Sequence, residues 1–367
     1  MYKINIISET SPEGLEKHKK SWEVLVEKCE NTSPVQTFGW IYAFMQYKIV
    51  SRFQWICLFA YRNGELAGVY PLICLQRTGI PGLHFQFFQL PHDPFHTVRS
   101  DGLILPGNDN ILEHFFSYLK DSFKALPVLW AQGIPGLSPT NRYFYLSGKK
   151  LRYFQKSVAP EDIIYLSKDF QYYVENLNPK FRREILRQER RLKEKGHVTY
   201  RFRDMERTNS FNMELFNEIE NSGWKGKKKT SIIGNPGDVE LFSSSTHFFN
   251  ENGWMQWNFL EINNETIAAQ LAVKINRVIY LWKIGYREEY SSFAPGNLLM
   301  FRFIEDAYQQ GDVEEINFMN ERGWLKEWKV TKRELYNTAV FPGIPLISPV
   351  LKFYYWMKYR RKGGITH

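Results

Sequence analysis

An α+β fold made of two related halves is predicted by three observations on this sequence. The first is a repeated strand–turn–strand unit. One copy runs Trp55–Leu58, Asn63-Gly64, Leu66-Ala67-Gly68 and on to Leu72; the other runs Trp257–Leu260, Asn263-Asn264, Ile267-Ala268-Ala269 and on to Val273. Each places a short Asn-rich turn between two apolar runs, as a hairpin requires. The second is that the next elements recur in the same order: a strand (85–90, 278–286), a helix (108–124, 296–310) and a short strand (127–131, 315–319). The third is length, since 367 residues suffice for two separate cores. A repeat this far apart is much longer than a solenoid unit. It predicts two tandem domains with mixed central sheets, residues 1–165 and 166–367, and a ligand cleft between related halves.

The remaining elements follow from local chemistry. Residues 12–30 read as one helix, with Trp22, Leu25, Val26 and Cys29 at helical spacing. A second helix is expected at 39–47. The stretch 90–106 is broken by Pro91, Pro94 and Pro106 and reads as loop. Asn178 is a good N-cap before Pro179, and Gly196 ends the helix that follows. Helices are also expected at 208–221 and 238–252. Near the end, Ser348-Pro349 opens a segment holding the aromatic run Phe353–Met357 and then Lys358, Arg360, Arg361 and Lys362. A helix there would be apolar nearly all round, so it must pack on the domain or lie on an anionic membrane.

Composition narrows the partners. Apolar residues make up 43% and charged residues 24%, ordinary for a globular protein. The net charge of +9 favours anionic partners. Between 180 and 195, eight basic residues face three glutamates. Cys29, Cys57 and Cys74 lack metal spacing and read as buried thiols of a reducing compartment. No run has the roughly 20 apolar residues of a spanning helix, and Met1–Ser8 lacks a signal peptide's apolar stretch. A cytoplasmic protein is expected, with peripheral membrane contact through the tail as the alternative to its packing on the domain.

Familiar nucleotide, serine-hydrolase and zinc-protease motifs are missing. His96 and Asp101 have the H-x4-D spacing in which a carboxylate orients a catalytic histidine, but two residues in a permissive window carry little weight. His92, Asp93 and His96 offer an equally thin metal set, and no metal is expected.

The informative block is Glu220-Asn-Ser-Gly-Trp224-Lys225-Gly226, followed by Trp282-Lys283-Ile-Gly-Tyr286 with Glu288-Glu289, and then Ala294-Pro295-Gly296-Asn297. This ordered set resembles the GNAT-type acyltransferases of the CelD/BcsL, cellulose-biosynthesis-associated group, which are similar in architecture to the tandem-GNAT FemABX peptidoglycan transferases. The resemblance covers about 175–330 and fades toward the N-terminus. It implies two GNAT-like domains, the first degenerate, and acyl transfer from a thioester to an amine. No permanently bound cofactor is implied; acyl-CoA or an acyl carrier protein is the expected co-substrate. Glu220 is the candidate general base, with a structural pair to Lys225 as the alternative, and Lys225 and Lys283 are the further catalytic candidates. Lys283, in an apolar strand, is either paired with Glu288 or Glu289 or placed for a phosphate or carboxylate. The resemblance also assigns Trp224, Gln270, Tyr286, Pro295, Gly296 and Asn297 to substrate binding, and more weakly Lys326 and Trp328, which with Asn320 and Trp324 lie where the family closes with a lysine and an aromatic residue.

One departure matters. The loop before the 296–310 helix lacks the usual Q/R-x-x-G-x-G/A form, and Pro295 has no N–H for a pyrophosphate. A carrier-protein donor docking on the basic helix 180–195 would account for this. The expected acceptor is an amine of an envelope precursor, either an amino sugar or a sphingoid-type lipid base. The alternatives are a Fem-like transferase using charged tRNA, the one case in which nucleic acid is an expected partner, and a non-catalytic GNAT-like module of polysaccharide assembly.

Overall fold

The computed structural model describes residues 4–49, 53–80, 83–93, 96, 98–146, 151–204, 206–235 and 237–342. The C-terminal segment read as a basic aromatic helix lies outside the described residues. The first half runs β1 (Ile4–Glu9), α1 (Pro12–Glu16), α2 (Lys19–Lys28), α3 (Phe38–Tyr47), the hairpin β2 (Gln54–Arg62) and β3 (Glu65–Ile80), β4 (Leu83–Gln89), β5 (Leu103–Ile104), α4 (Ile111–Phe123), β6 (Leu126–Pro135), α5 (Pro139–Leu146) and β7 (Leu151–Tyr165). The second half runs α6 (Phe170–Asn176), α7 (Pro179–Lys193), β8 (Val198–Arg201), α8 (Asn209–Ser222), α9 (Trp224–Lys227), α10 (Asp238–Glu251), β9 (Met255–Ile262), β10 (Glu265–Ile275), β11 (Val278–Tyr286), α11 (Pro295–Gln310), β12 (Glu315–Asn317) and β13 (Thr331–Pro342).

The recurring order predicted from sequence is therefore present. β2-β3-β4-α4-β6 matches β9-β10-β11-α11-β12, and both hairpin turns carry left-handed residues, Asn63-Gly64 and Asn263-Asn264. One expectation is corrected. The helix read over 12–30 is two helices, because Ser11 caps a single turn and the chain re-enters helix at Lys19.

One sheet runs through both halves in the order β1-β2-β3-β4-β6-β13-β7-β12-β11-β10-β9-β8, with β5 paired to β3. The order is a palindrome about the β13–β7 pair. Each half gives its last strand to the other: β7 pairs with β12, and β13 pairs with β6. The long antiparallel β7–β13 pair, Ile163 opposite Thr331 to Leu151 opposite Pro342, marks the pseudo-twofold. The halves also share a core. Trp22, Trp40 and Phe44 of the first half pack in one cluster with Phe216, Phe242, Phe249 and Trp282 of the second. Buried aromatics of this size dominate core energetics, so the halves are held as one body by packing as well as by exchanged strands.

Candidate functional site

The site forms where β11 leaves β12. The two strands are parallel neighbours only over Val278–Tyr280 and Glu315–Asn317. Two local features separate them. On β11 the pairing with β10 jumps from Leu271–Lys283 to Ala272–Leu281, leaving Trp282 as an extra residue; such a bulge bends its strand and re-aims side chains. After β12, the Asn317 side chain accepts from the Met319 N–H at 2.7 Å and Met319 turns left-handed. The result is a cleft of about 670 Å³ between Leu281–Tyr286 on one side and Phe318 with Glu321–Trp324 on the other.

Helix α8 closes one face of the cleft. It approaches β11 at Gly285, where a Cβ would lie 2.9 Å from the Glu220 Cα and 3.1 Å from its N. The glycine thus allows the helix to bring Glu220 onto the strand. The Glu220 carboxylate is buried and both oxygens are engaged. Lys225 Nζ donates to Oε1 at 2.8 Å, and the Ile232 N–H donates to Oε2 at 2.9 Å. Lys283 Nζ lies 3.8 Å from the same Oε1. Burial pushes the Glu220 pKa up, but the charges of Lys225 and Lys283 outweigh it and hold the carboxyl below its usual value. Lys283 stands over the Phe242 ring, and burial brings its ammonium down to about 8 despite Glu220. Its carboxylate neighbour is Glu220, not Glu288 or Glu289.

Lys225 Nζ also donates to the Ile284 carbonyl at 2.8 Å. A strand residue's N–H and C=O point to the same edge, so the Ile284 N–H faces the cleft too and can meet an oxyanion. At the other end, α11 begins after left-handed Ala294. Pro295 has no N–H and Asn297 N–H donates to Ala294 O at 2.9 Å. Gly296 is the first-turn amide that remains for an anion. Helix α7 flanks this end, with the Arg191 guanidinium over the Phe293 ring.

Of the residues read from sequence, Glu220, Lys225, Lys283, Tyr286, Gly296 and Asn297 line this one cleft. Pro295 is buried at the helix start. Gln270 is fully buried on β10, beside the Met300 sulfur. Lys326 is exposed, and Trp328 is fully buried against Phe181; neither lines the cleft. Trp224 opens α9, but its side chain is outside the described part. Among the lining residues not read from sequence as binding residues are Arg322 and Trp324. The Arg322 guanidinium has no carboxylate within ion-pair distance among the described residues. The signal was available: Asn320-Glu-Arg-Gly-Trp324 follows the short strand directly.

Behind Lys283, the first half supplies a buried polar group. His96 Nε2 lies 2.9 Å from Asp238 Oδ2, and the His96 carbonyl accepts from Trp282 Nε1 at 3.1 Å. The partner of His96 is thus Asp238 and not Asp101, whose carboxylate accepts from the Gly102 N–H. Asp93, His96 and Asp238 bring oxygen and nitrogen atoms within 4.8 Å of one another. Lys48 supplies the positive charge there, with Nζ 2.5 Å from Asp238 and 3.4 Å from Asp93.

Residues 179–329 match the family described as Acetyltransferase (GNAT) domain, a span that holds the whole cleft lining. No match was found among curated proteins. The chain is similar to the crystal structure of FemX, with a TM-score of 0.60 and 11% identity over 94% of this chain and 99% of that one. It is also similar to a conserved protein of unknown function from Bacteroides thetaiotaomicron VPI-5482, with a TM-score of 0.53 and 12% identity over 93% of this chain and 100% of that one. At these identities the likeness concerns fold. The chain is a strand-exchanged pair of tandem GNAT-like domains, with the acetyltransferase-family match in the second half.

Proposed function

We propose that the protein is an N-acyltransferase that works at the β11–β12 cleft, moving an acyl group from a thioester to an amine. The observation that carries this reading is the opened parallel strand pair, which sets the Ile284 N–H and the Lys283 amine at one cleft. In the proposed step, the neutral amine attacks the thioester carbonyl and the C–S bond breaks. The Ile284 N–H stabilises the oxyanion. Lys283 in its neutral form takes the proton released by the amine and passes it to the departing sulfur, which leaves as a thiol. Glu220 stays ionised and holds Lys225 and Lys283 in place. Arg322 and the Gly296 amide take a phosphate or carboxylate of donor or acceptor.

The donor is CoA or an acyl carrier protein. The single amide left at the start of α11 favours a carrier held by surface charge, with α7 as its docking face. The resemblance of Glu220–Gly226 and its companions to the CelD/BcsL group supports an amine of an envelope precursor, an amino sugar or sphingoid-type base. The basic face of α7 beside the cleft also favours a second reading, a Fem-like transferase using charged tRNA, which predicts copurifying RNA and binding that falls steeply with salt. The test is mass spectrometry of amines incubated with the purified protein and acyl-CoA, acyl-carrier or aminoacyl-tRNA donors. An N-acylated product from a thioester is expected; product from charged tRNA alone would replace the first reading with the second, and no product from any donor would point to the non-catalytic module.

A further inference from the structure

The strongest unassigned feature lies in the first half, at the end of the β7–β13 pair away from the cleft. Leu137 is 95% exposed, Tyr145 75% and Leu146 68%, the three most exposed large apolar side chains among the described residues. They are neighbours. Leu137 and Tyr145 line one shallow groove of about 530 Å³ together with Tyr153 and Arg142, and Leu146 follows Tyr145 at the end of α5. Three such side chains kept in water forgo the gain of burial, and a cluster of them implies something that covers it.

Charge identifies the cover. From Asp121 to Glu161 the intervening sequence has six basic residues and no acidic one. Arg142, which pairs with Asp109 at 3.2 Å yet has a half-exposed side chain, stands in the groove, and Arg152 is exposed near the end of β7 on the strand face opposite Tyr153. A second copy of the chain would bring two such basic rims together. An anionic bilayer meets both requirements: its interface takes Leu and Tyr side chains, and its headgroups take the arginines. The chain beyond Pro342, which pairs with Leu151 at this same end, continues into the sequence with the Phe353–Met357 run and four basic residues.

We infer that this face docks the protein on an anionic lipid surface, through Leu137, Tyr145, Leu146 and Tyr153 with Arg142 and Arg152 around them. No helix of the described residues is long and apolar enough to span a membrane, and the attachment inferred here is a peripheral, reversible one. It is independent of the acyl-transfer reading, because no residue of the face touches the cleft.

The test is flotation of the purified full chain with phosphatidylcholine vesicles containing phosphatidylglycerol and with vesicles of phosphatidylcholine alone. Binding to the anionic vesicles is expected, weakened by salt and by omission of phosphatidylglycerol. The combined change Leu137→Ser, Tyr145→Ser, Leu146→Ser and the separate change Arg142→Gln, Arg152→Gln should each weaken it about tenfold or more, with an unaltered circular dichroism spectrum. Equal binding by the serine variant and the unmodified chain would overturn the inference and leave the segment after Pro342 as the anchor. So would no binding of the unmodified chain, or an oligomer in light scattering that the serine variant dissolves, which would make the face a self-interface.

Discussion

The same parallel strand pair occurs twice in this molecule and ends in opposite ways. In the first half, β4 and β6 stay paired over five residues, Phe85–Gln89 with Leu126–Trp130. Leu90 N–H then reaches Trp130 O, and Ser100 N–H reaches Gly133 O, so the returning loop continues along β6. Gly133 is left-handed there, and a Cβ on it would collide with the Val98 carbonyl. In the second half, β11 and β12 part after three residues, and the cleft takes the space. Counted from the first paired residues, Phe85 and Val278, Leu90 stands where Lys283 stands in the second copy. The frame is shared; an open edge and a lysine beside it distinguish the half that holds the cleft. Their buried acids differ in the same sense. Glu220 is held ionised by two lysines, whereas burial raises Asp101 to about 6.

The largest expected effect breaks the comparison at its centre. Lys283→Met gives the second half an apolar residue at the place of Leu90. Turnover should fall about 10²–10⁴-fold, the range for losing a positioned acid–base group, with the thermal transition little changed. Activity within threefold of the unmodified protein would take Lys283 out of the chemistry. Next is Gly285→Val, which presses on the α8 backbone at Glu220. Overpacking of this kind costs about 3 kcal/mol. Urea unfolding should show it as a lower midpoint with an unchanged slope, and a midpoint equal to that of the unmodified chain would mean α8 moves freely over β11.

Much of the frame was legible because it rests on local signals. Asn178 and Pro179 gave the start of α7, and the two Asn turns gave both hairpins. The strand exchange was not legible. β7 and β13 pair with partners far away in sequence, and no local pattern names a partner. The site divides in the same way. Lys283 stood out as a charged residue in an apolar strand, and Glu220 and Lys225 came from the motif resemblance. The His96–Asp238 pair did not, since it depends on the first half's loop meeting α10. Trp328 was read toward the substrate because an aromatic residue after the last strand looks the same whether it lines a cleft or fills the core; here Phe181 and Tyr173 cover it.

A smaller effect sharpens the contrast of the two acids. Asp101 has a folded pKa near 6 against an ordinary 3.8, so the folded state holds its proton to higher pH than the unfolded chain. Stability from this group is full below about 3.8 and declines as pH rises through about 6. Asp101→Asn removes the charge and keeps an oxygen for the Gly102 N–H. It should raise stability at neutral pH by roughly 1–2 kcal/mol and flatten the slope between pH 4 and 6 in denaturant titrations. An unchanged slope would show that Asp101 is not buried as a charge.

The smallest effect separates two roles for Glu220. If the carboxylate is the proton acceptor, Glu220→Gln abolishes turnover at every pH, because an amide takes no proton. If it is the counterion of Lys283, activity survives at a reduced level and its pH dependence moves. With Lys283 near 8, the rate should rise with pH as the ammonium gives up its proton. Burial lowers this pKa, and the negative charge of Glu220 opposes that lowering. Removing the charge therefore lets the pKa fall further, and the rising limb shifts toward lower pH. The glutamine still offers an oxygen to Lys225 or to the Ile232 N–H, so the loop it braces stays in place and the shift reads the charge itself. Lys225→Met removes a like charge from beside Lys283 and should move the limb the other way. Opposite displacements in the two variants, measured as kcat against pH, would assign the proton to Lys283. An abolished rate in Glu220→Gln with normal folding would return it to Glu220.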